Sequence, residues 1–246
     1  MTRIELIRPD WSVPGWVHAY ATTREGGCSE GDWAGLNLAE HVGDDIEHVV
    51  VNRARLREAL DLPAEPLWLN QVHGCSVADT GRDPVGCEAD AAFADLPGRV
   101  CAVLTADCLP VLFADREGRA VAAAHAGWRG LAAGVLEATL AHFDDPGKVL
   151  AWLGPAIGPF AFEVGEEVRD AFLATDSSAA AAFVPLGERW CADLYQLARQ
   201  SLESAGIGGV YGGGRCTYSE PGHFYSYRRD GCTGRQASLI WLEEVV

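Results

Sequence analysis

Lysine is almost missing from this chain. Lys148 is the only one, and arginine supplies the rest of 19 basic residues set against 35 acidic ones. The formal net charge of -16 opposes nucleic-acid binding, which relies on clustered Lys and Arg to displace counterions from phosphates. The lysine shortage reads mainly as a genome-composition effect, although arginine also suits fixed phosphate contacts better. CxxC spacing is absent too. None of Cys28, Cys75, Cys87, Cys101, Cys108, Cys191, Cys216 and Cys232 forms such a pair, so a zinc ribbon or finger is not indicated. A disulfide framework is not expected in a cytosolic chain of this size. No stretch approaches the roughly 18 uninterrupted apolar residues of a membrane span. Charges also break up the N-terminal Met1-Thr2-Arg3-Ile4-Glu5-Leu6-Ile7-Arg8-Pro9, so it is no secretory leader and the cytoplasm is the expected compartment. With neither an internal repeat nor a long linker, one mixed α/β domain over 1–246 is expected, a mixed sheet flanked by helices.

What is present is enough apolar material for a sizeable core, 48% of 246 residues. Val17 to Thr22 reads as a strand before a Gly-rich loop. Gly43-Asp44-Asp45 opens a helix that Asp44 or Asp45 can cap, with Ile46, Val49, Val50, Arg53, Leu56 and Leu60 at helical spacing. Leu67-Trp68-Leu69 begins a strand ending near His73, and Ser76 to Asp79 is a second piece. Arg99 to Thr105, Leu109 to Ala114 and Ala120 to Ala124 are continuous apolar runs, as expected of buried strands. Further on, strands are expected at Val149 to Leu153, Val210 to Thr217 and Ser238 to Leu242. Helices are expected at Gly165 to Thr175 and Asp193 to Ala205.

Three segments each deliver one metal-type ligand where a hydrophobic strand is expected to end. They are Asn70-Gln71-Val72-His73-Gly74, Thr105-Ala106-Asp107-Cys108-Leu109-Pro110 and His125-Ala126-Gly127-Trp128-Arg129-Gly130. Two imidazoles and a thiolate suit zinc and leave a fourth position open, the mark of a catalytic rather than a structural site. His125 feeds a helix start, whose free N–H groups favour anions, and Arg129 lies on the first turn. Asp107 could act as a general base or orient a ligand histidine. The same residues also allow a metal-free nucleophile, with Cys108 as thiolate, His125 as base, and Asp107 or Gln71 assisting. Separated single His and Cys residues equally suit an ordinary core. Spacing does not choose among these.

The stretch from Cys216 to Gly231 is rich in aromatics and arginine. Tyr218, Phe224 and Tyr225 read as a turn packed on the core. Arg228 and Arg229 suit either solvent or a ligand phosphate. His41, His48 and His142 read as surface or capping residues. Arg53 falls on the apolar helix face between Val49 and Leu56, where a half-buried cation needs a partner.

Several motifs, in order along nearly the whole chain, carry a family resemblance. They are Thr23-Arg24-Glu25-Gly26-Gly27, Leu36-Asn37-Leu38 with His41-Val42-Gly43-Asp44-Asp45, Asn52-Arg53, Asn70-Gln71-Val72-His73, Ala106-Asp107-Cys108, His125-Ala126-Gly127-Trp128-Arg129-Gly130 and Ser226-Tyr227-Arg228-Arg229-Asp230-Gly231. Together they resemble the YfiH/YlmD-type proteins, the "multicopper polyphenol oxidase, laccase-like" family now regarded as purine nucleoside phosphorylases. The resemblance implies the α/β fold of the cytotoxic necrotizing factor catalytic domain. It implies zinc on His73, Cys108 and His125. It also implies phosphorolysis of adenosine, inosine, guanosine and methylthioadenosine, with adenosine deamination as a second activity. Copper is the less expected metal, because the clustered His-rich motifs of a multicopper oxidase are missing. The acidic loop Gly86-Cys87-Glu88-Ala89-Asp90-Ala91 departs from the family's common Gly-Asp-Ala-Asp pattern, and Cys28 stands where an aliphatic residue is frequent, so no contact is assigned to Asp90.

The expected partners are a purine nucleoside and phosphate, with neither nucleic acid nor membrane. His73, Cys108 and His125 are the expected ligands, and Asp107 is the base or an orienting group. Arg53, Arg129 and Arg229 are the expected anion contacts, and Asn37 and Gln71 orient the substrate. An amide-cleaving Cys–His enzyme acting on a peptide or peptidoglycan precursor and a non-enzymatic metal-bound scaffold are the alternatives.

Overall fold

Two large sheets face each other, with alternate residues of their strands turned into the layer between them. The computed structural model describes residues 3–244, so the first two residues of the charged N-terminal stretch and the last two of the chain lie outside the described residues. The first sheet is antiparallel, in the order β1 (Leu6–Ile7), β2 (Val17–Thr22), β13 (Gln236–Leu242) and β5 (Val100–Thr105). The second runs β12 (Gly209–Gly212), β8 (Val149–Leu153), β6 (Leu109–Asp115), β7 (Val121–Ala126), β4 (Ala91–Ala94) and β3 (Val77–Asp79). Its two outer pairs are parallel and its inner pairs antiparallel. A small third sheet joins β10 (Phe183–Leu186), β11 (Arg189–Ala192) and β9 (Glu163–Val164).

Between the large sheets, Cys101 and Val103 of β5 and Ile240 and Leu242 of β13 share an apolar layer with Leu112 and Ala114 of β6 and Val121 and Ala123 of β7. The alternate residues face outward. Val100, Ala102, Leu104, Leu239 and Trp241 pack with Leu36, Leu38 and Leu56, the last on α1 (Ile46–Leu60). Val111, Phe113, Ala122 and Ala124 pack under α2 (Trp128–Ala132), α3 (Val135–Leu140), α4 (Glu166–Leu173) and α5 (Leu194–Ser204). The layers therefore run helix, sheet, sheet, helices. The mixed α/β class stands, but the expected single sheet is two. Both faces of β5, β6 and β7 are buried either way, so a continuous apolar run carries no mark of which sheet it joins.

Three further differences bear on the site. Leu67 to His73 is not a strand. It makes only the isolated bridges Leu67–Cys101 and Asn70–Glu88. The Gln71 side chain takes over the pairing: it donates to Leu104 O at 2.9 Å and accepts from Leu104 N–H at 2.8 Å. The strand expected to reach Thr217 stops at Gly212, because Gly212, Gly213 and Gly214 all take positive φ (69°, 87°, 87°). Helix α1 is capped by Asp45, which accepts the Glu47 N–H, but its buried residues are Val49, Asn52 and Leu56 while Ile46 and Val50 stay exposed. Asn52 accepts the Cys28 N–H and donates to Ser29 Oγ and Asn37 O, so the inward face grips the loop before the helix through amide chemistry.

The chain crosses from the first sheet to the second between β5 and β6, through Ala106, Asp107 and Cys108. That crossing sets the end of the sandwich at which the site lies.

Candidate metal centre

His73 holds a left-handed backbone, φ 61°, which is uncommon outside glycine and asparagine. The buried carboxylate of Asp90 stabilises it by accepting three successive N–H groups, from Val72 (3.2 Å), His73 (2.9 Å) and Gly74 (2.6 Å). Cys108 follows Asp107, another left-handed residue at φ 92°. Asp107 is fixed by its own side chain: Oδ1 accepts the Thr217 hydroxyl and Oδ2 the Arg228 N–H, each at 2.6 Å. His125 is the penultimate residue of β7, paired with Pro110 of β6. Its N–H donates to Asp90 O at 2.7 Å, and its Nδ1 lies 2.8 Å from Asp90 Oδ1.

These three placements converge. The Cys108 sulfur lies 3.9 Å from His73 Nε2, the two imidazole rings stand edge to face at 4.8 Å, and the ligand atoms of all three residues lie within 4.8 Å of one another. A four-coordinate zinc holds its N and S ligands about 3.3–3.8 Å apart, so closure by roughly 1 Å brings them onto one ion. The electrostatics suit a cation. Burial works to raise the Cys108 thiol, but His125 and His73 outweigh it and bring its pKa down to about 6. Burial works to lower His125, but the Cys108 sulfur and the Asp90 carboxylate outweigh it and lift the ring to about 9. The two shifts run in the directions that favour charge on both partners.

Two glycines explain the spacing of the His125–Gly130 motif. A Cβ on Gly127 would stand 2.9 Å from the His73 ring and 3.0 Å from the Cys108 sulfur, inside the cup that the ligands form. A Cβ on Gly130 would stand 2.8 Å from Gly74 O, where α2 lies against the His73 loop. The centre opens into a cavity of about 360 Å³ whose lining includes His41, Gln71, Thr105, Tyr227 and Arg235 beside the three ligands.

The other expected site residues are distributed differently. Gln71 lines the cavity, with its amide engaged by Leu104. Asp107 adjoins Cys108, with both oxygens committed to Thr217 and Arg228. Asn37 is buried among Ala39, Asp44 and the Arg235 N–H. The partner that Arg53 needed is Glu40, at 2.6 Å, together with Leu38 O and the Trp68 ring. Arg129 is exposed and stacks over Trp128. Arg229 donates to Thr217 O, Tyr218 O and Phe224 O and pairs with Asp230, so it braces the turn it belongs to. Phe224 and Tyr225 are fully buried, as expected of a packed turn.

Four residues at the site were assigned no role from the sequence. Asp90 touches the backbone or ring of both histidine ligands. Its signal is an acid set among alanines that prove to be buried. His41, read as a surface residue, is exposed, but at the cavity. Thr105 is 1% exposed, and its Oγ1 has no hydrogen-bond partner among the described residues. Arg235 lines the same cavity, half-buried. Its Nη1 donates to Thr233 O and Gly234 O, and no ion pair among the described residues includes it. Burial holds its guanidinium below the usual arginine range. The usable signal was a cation opening the apolar run of β13.

Residues 18–243 match the family described as multi-copper polyphenol oxidoreductase laccase. The chain belongs to this family. It is 56% identical over 240 residues to the Escherichia coli protein named purine nucleoside phosphorylase YfiH, covering 97% of this chain and 99% of that one. It is 54% identical to a purine nucleoside phosphorylase of Pseudomonas aeruginosa, over 97% of this chain and 98% of the relative. Among solved structures, a Neisseria meningitidis protein superposes with a TM-score of 0.94 at 50% identity, covering 97% and 99% of the two chains. YlmD from Geobacillus stearothermophilus gives 0.81 at 32%, covering 94% and 93%. The names, identities and superpositions of these neighbours support the YfiH/YlmD resemblance in sequence and in fold. The family's descriptive name implies several copper ions. Among the described residues, His73, Cys108 and His125 form the one group of three or more His, Cys, Asp or Glu able to hold a metal, and one such group accommodates one ion.

Proposed function

We propose that this protein is a zinc-dependent purine nucleoside phosphorylase. In that reaction the bond from ribose C1′ to the purine nitrogen breaks, a bond from C1′ to a phosphate oxygen forms, and a proton goes to the departing base. The names of the relatives support the activity. The single observation carrying the reading is the unpaired Arg235 beside the three-ligand cup in one cavity of an acidic protein. A half-buried cation with no carboxylate partner calls for an anionic ligand. Phosphate, which presents several acceptor oxygens to a guanidinium, is such a ligand.

When bound to His73, Cys108 and His125, zinc supplies a divalent charge and an open coordination position. The chain's own groups do the rest. Arg235 holds phosphate against the protein's overall charge. Thr105 Oγ1 offers a buried hydrogen bond to a substrate oxygen or nitrogen. Partial desolvation at the cavity first, then the neighbouring charges of Arg235 and Arg53, push His41 below the ordinary histidine value. Asp107 keeps Cys108 in place. Adenosine, inosine, guanosine and methylthioadenosine are the proposed substrates, with hydrolytic deamination of adenosine as the second activity.

The test is purine release from inosine and adenosine, with and without phosphate, in metal-assayed protein, for wild type and Cys108→Ala. Phosphate-dependent release that the variant loses is the expected result. No release from zinc-loaded protein would sink the reading. The convergence of Cys108 with His73 and His125, which draws the thiol down and the His125 ring up, favours one further chemistry, a Cys–His amide-cleaving enzyme acting on a peptide or peptidoglycan precursor. Amide cleavage that survives exhaustive chelation but not Cys108→Ala is its signature.

A further inference from the structure

We propose that Asp90 is the positioning residue of the centre: its one buried carboxylate sets both histidine ligands, on separate elements, to the spacing of a single metal ion. The inference rests on the metal reading above. His73 lies on a loop and His125 on β7, 52 positions apart in the sequence numbering. Asp90 lies between them, at the entry to β4. Its Oδ1 meets both the His73 N–H at 2.9 Å and His125 Nδ1 at 2.8 Å. Its Oδ2 holds the N–H groups of Val72 and Gly74, and its main-chain oxygen takes the His125 N–H. The side chain is fully buried and has no arginine or lysine partner among the described residues. Its negative charge is met by these N–H groups and by the His125 ring.

The chemistry makes this more than packing. The contact at Nδ1 requires a proton there, because a carboxylate accepts and does not donate. A His125 protonated at Nδ1 presents Nε2 as the metal donor, so the carboxylate selects the tautomer that can bind an ion. The three N–H bonds act on His73 differently. They hold a left-handed backbone that a non-glycine residue adopts at a cost, and that backbone turns the His73 ring toward Cys108. An amide in place of the carboxylate cannot do both. If its oxygen faces the loop, its NH₂ faces His125 Nδ1, favours the tautomer protonated at Nε2, and blocks ligation.

Zinc affinity by competition with a chromophoric chelator, and the visible spectrum of the cobalt(II) form, test this on wild type and Asp90→Asn. The expected result is zinc binding weakened about 10- to 100-fold in the variant, with altered cobalt ligand-field bands and a smaller rise of the thermal midpoint with zinc than in wild type. Equal affinity and an identical cobalt spectrum would overturn the role of Asp90 while leaving the metal reading intact. Wild type that binds neither ion would overturn both. Should Asp90→Asn fail to fold, nitrogen-15 imidazole spectra of zinc-loaded wild type decide the matter. Protonated Nδ1 and metal-shifted Nε2 at His125 support the proposal, and the reverse assignment refutes it.

Discussion

At the scale of single residues, the site depends as much on what is kept out as on what is put in. Gly127 has an ordinary backbone, φ -66° and ψ 159°, so any residue could adopt its conformation. Only the space beside His73 and Cys108 demands glycine. Gly127→Ala should therefore fold normally yet bind zinc about 10- to 100-fold more weakly, the range for changes that disturb the orientation of metal ligands. Metal content by mass spectrometry, beside an unchanged circular dichroism spectrum, checks it. Full zinc occupancy in the variant would show that the cup opens elsewhere. The arginines separate in the same way. A charged hydrogen bond is worth about 1.5–3 kcal/mol, so Arg235→Gln should raise KM for phosphate about 10- to 100-fold with a smaller effect on the nucleoside. Arg129→Gln, which removes an exposed side chain stacked on Trp128, should leave both within about threefold, as surface charges usually do. The opposite ranking in phosphate titrations would return the anion site to the helix start. The three residues that the fold brings together were legible in the sequence as candidate ligands because His, Cys and His each stood where an apolar run was expected to end. Asp90 and Arg235 were not, because their importance lies in contacts to positions 72–74 and 125, or in the lack of a partner, and neither leaves a local pattern.

At the scale of elements, the turn between β6 and β7 keeps the His125 strand in register with β6. Asp115 accepts the Glu117 N–H at 2.7 Å and the Arg119 guanidinium at 3.0 Å, and Gly118 turns the chain at φ 67°. Burial acts to raise the Asp115 carboxyl, but Arg119 and the Glu117 N–H outweigh it and hold it below the usual carboxylate range. A carboxyl depressed in the folded state stabilises the fold above its unfolded pKa, about 4. That stability is lost as pH falls through the lower folded value. Asp115→Asn should thus cost about 1 kcal/mol at neutral pH, discounted for the half-exposed arginine, and the gap to wild type should close in acid. Urea denaturation at pH 7 and pH 3 measures it, and a gap that persists unchanged at pH 3 would mean that charge is not the cause. The elements themselves were read well where hydrophobic spacing was strong: β5, β6, β7, β8, α4 and α5 stand within a few residues of their expected bounds. They were missed where the sequence speaks against the structure. The strand β4 is Ala-Ala-Phe-Ala, poor in strand-forming residues and held by its neighbours β3 and β7. The Leu67–His73 segment has strand-like composition, but a glutamine side chain does its pairing.

At the scale of the whole molecule, the centre ties together parts of the chain that local folding cannot bring near one another. Residues 73, 90, 108 and 125 belong to a loop, to the entry of β4, to the crossing between the two sheets, and to β7. An unfolded chain holds no such preformed group of ligands, so the ion binds the folded state more tightly than the unfolded one, and the difference in binding free energy adds to stability. At free zinc about 1,000 times the dissociation constant, the gain is about 4 kcal/mol. For a chain of 246 residues, 1 kcal/mol moves the melting midpoint by about 2–4 °C, so zinc should raise it by roughly 10 °C. The increment should disappear in Cys108→Ser, because losing one of three ligands leaves the two imidazoles without the thiolate that neutralises half the ion's charge. Differential scanning calorimetry of wild type and variant, each with zinc and with chelator, gives the comparison. A midpoint that zinc leaves unmoved in wild type would mean that the three residues do not act as one site in the folded chain. An equal rise in both proteins would place the ion elsewhere among the 35 acidic residues. A rise confined to wild type would show that the two sheets meet at the point where the metal is held.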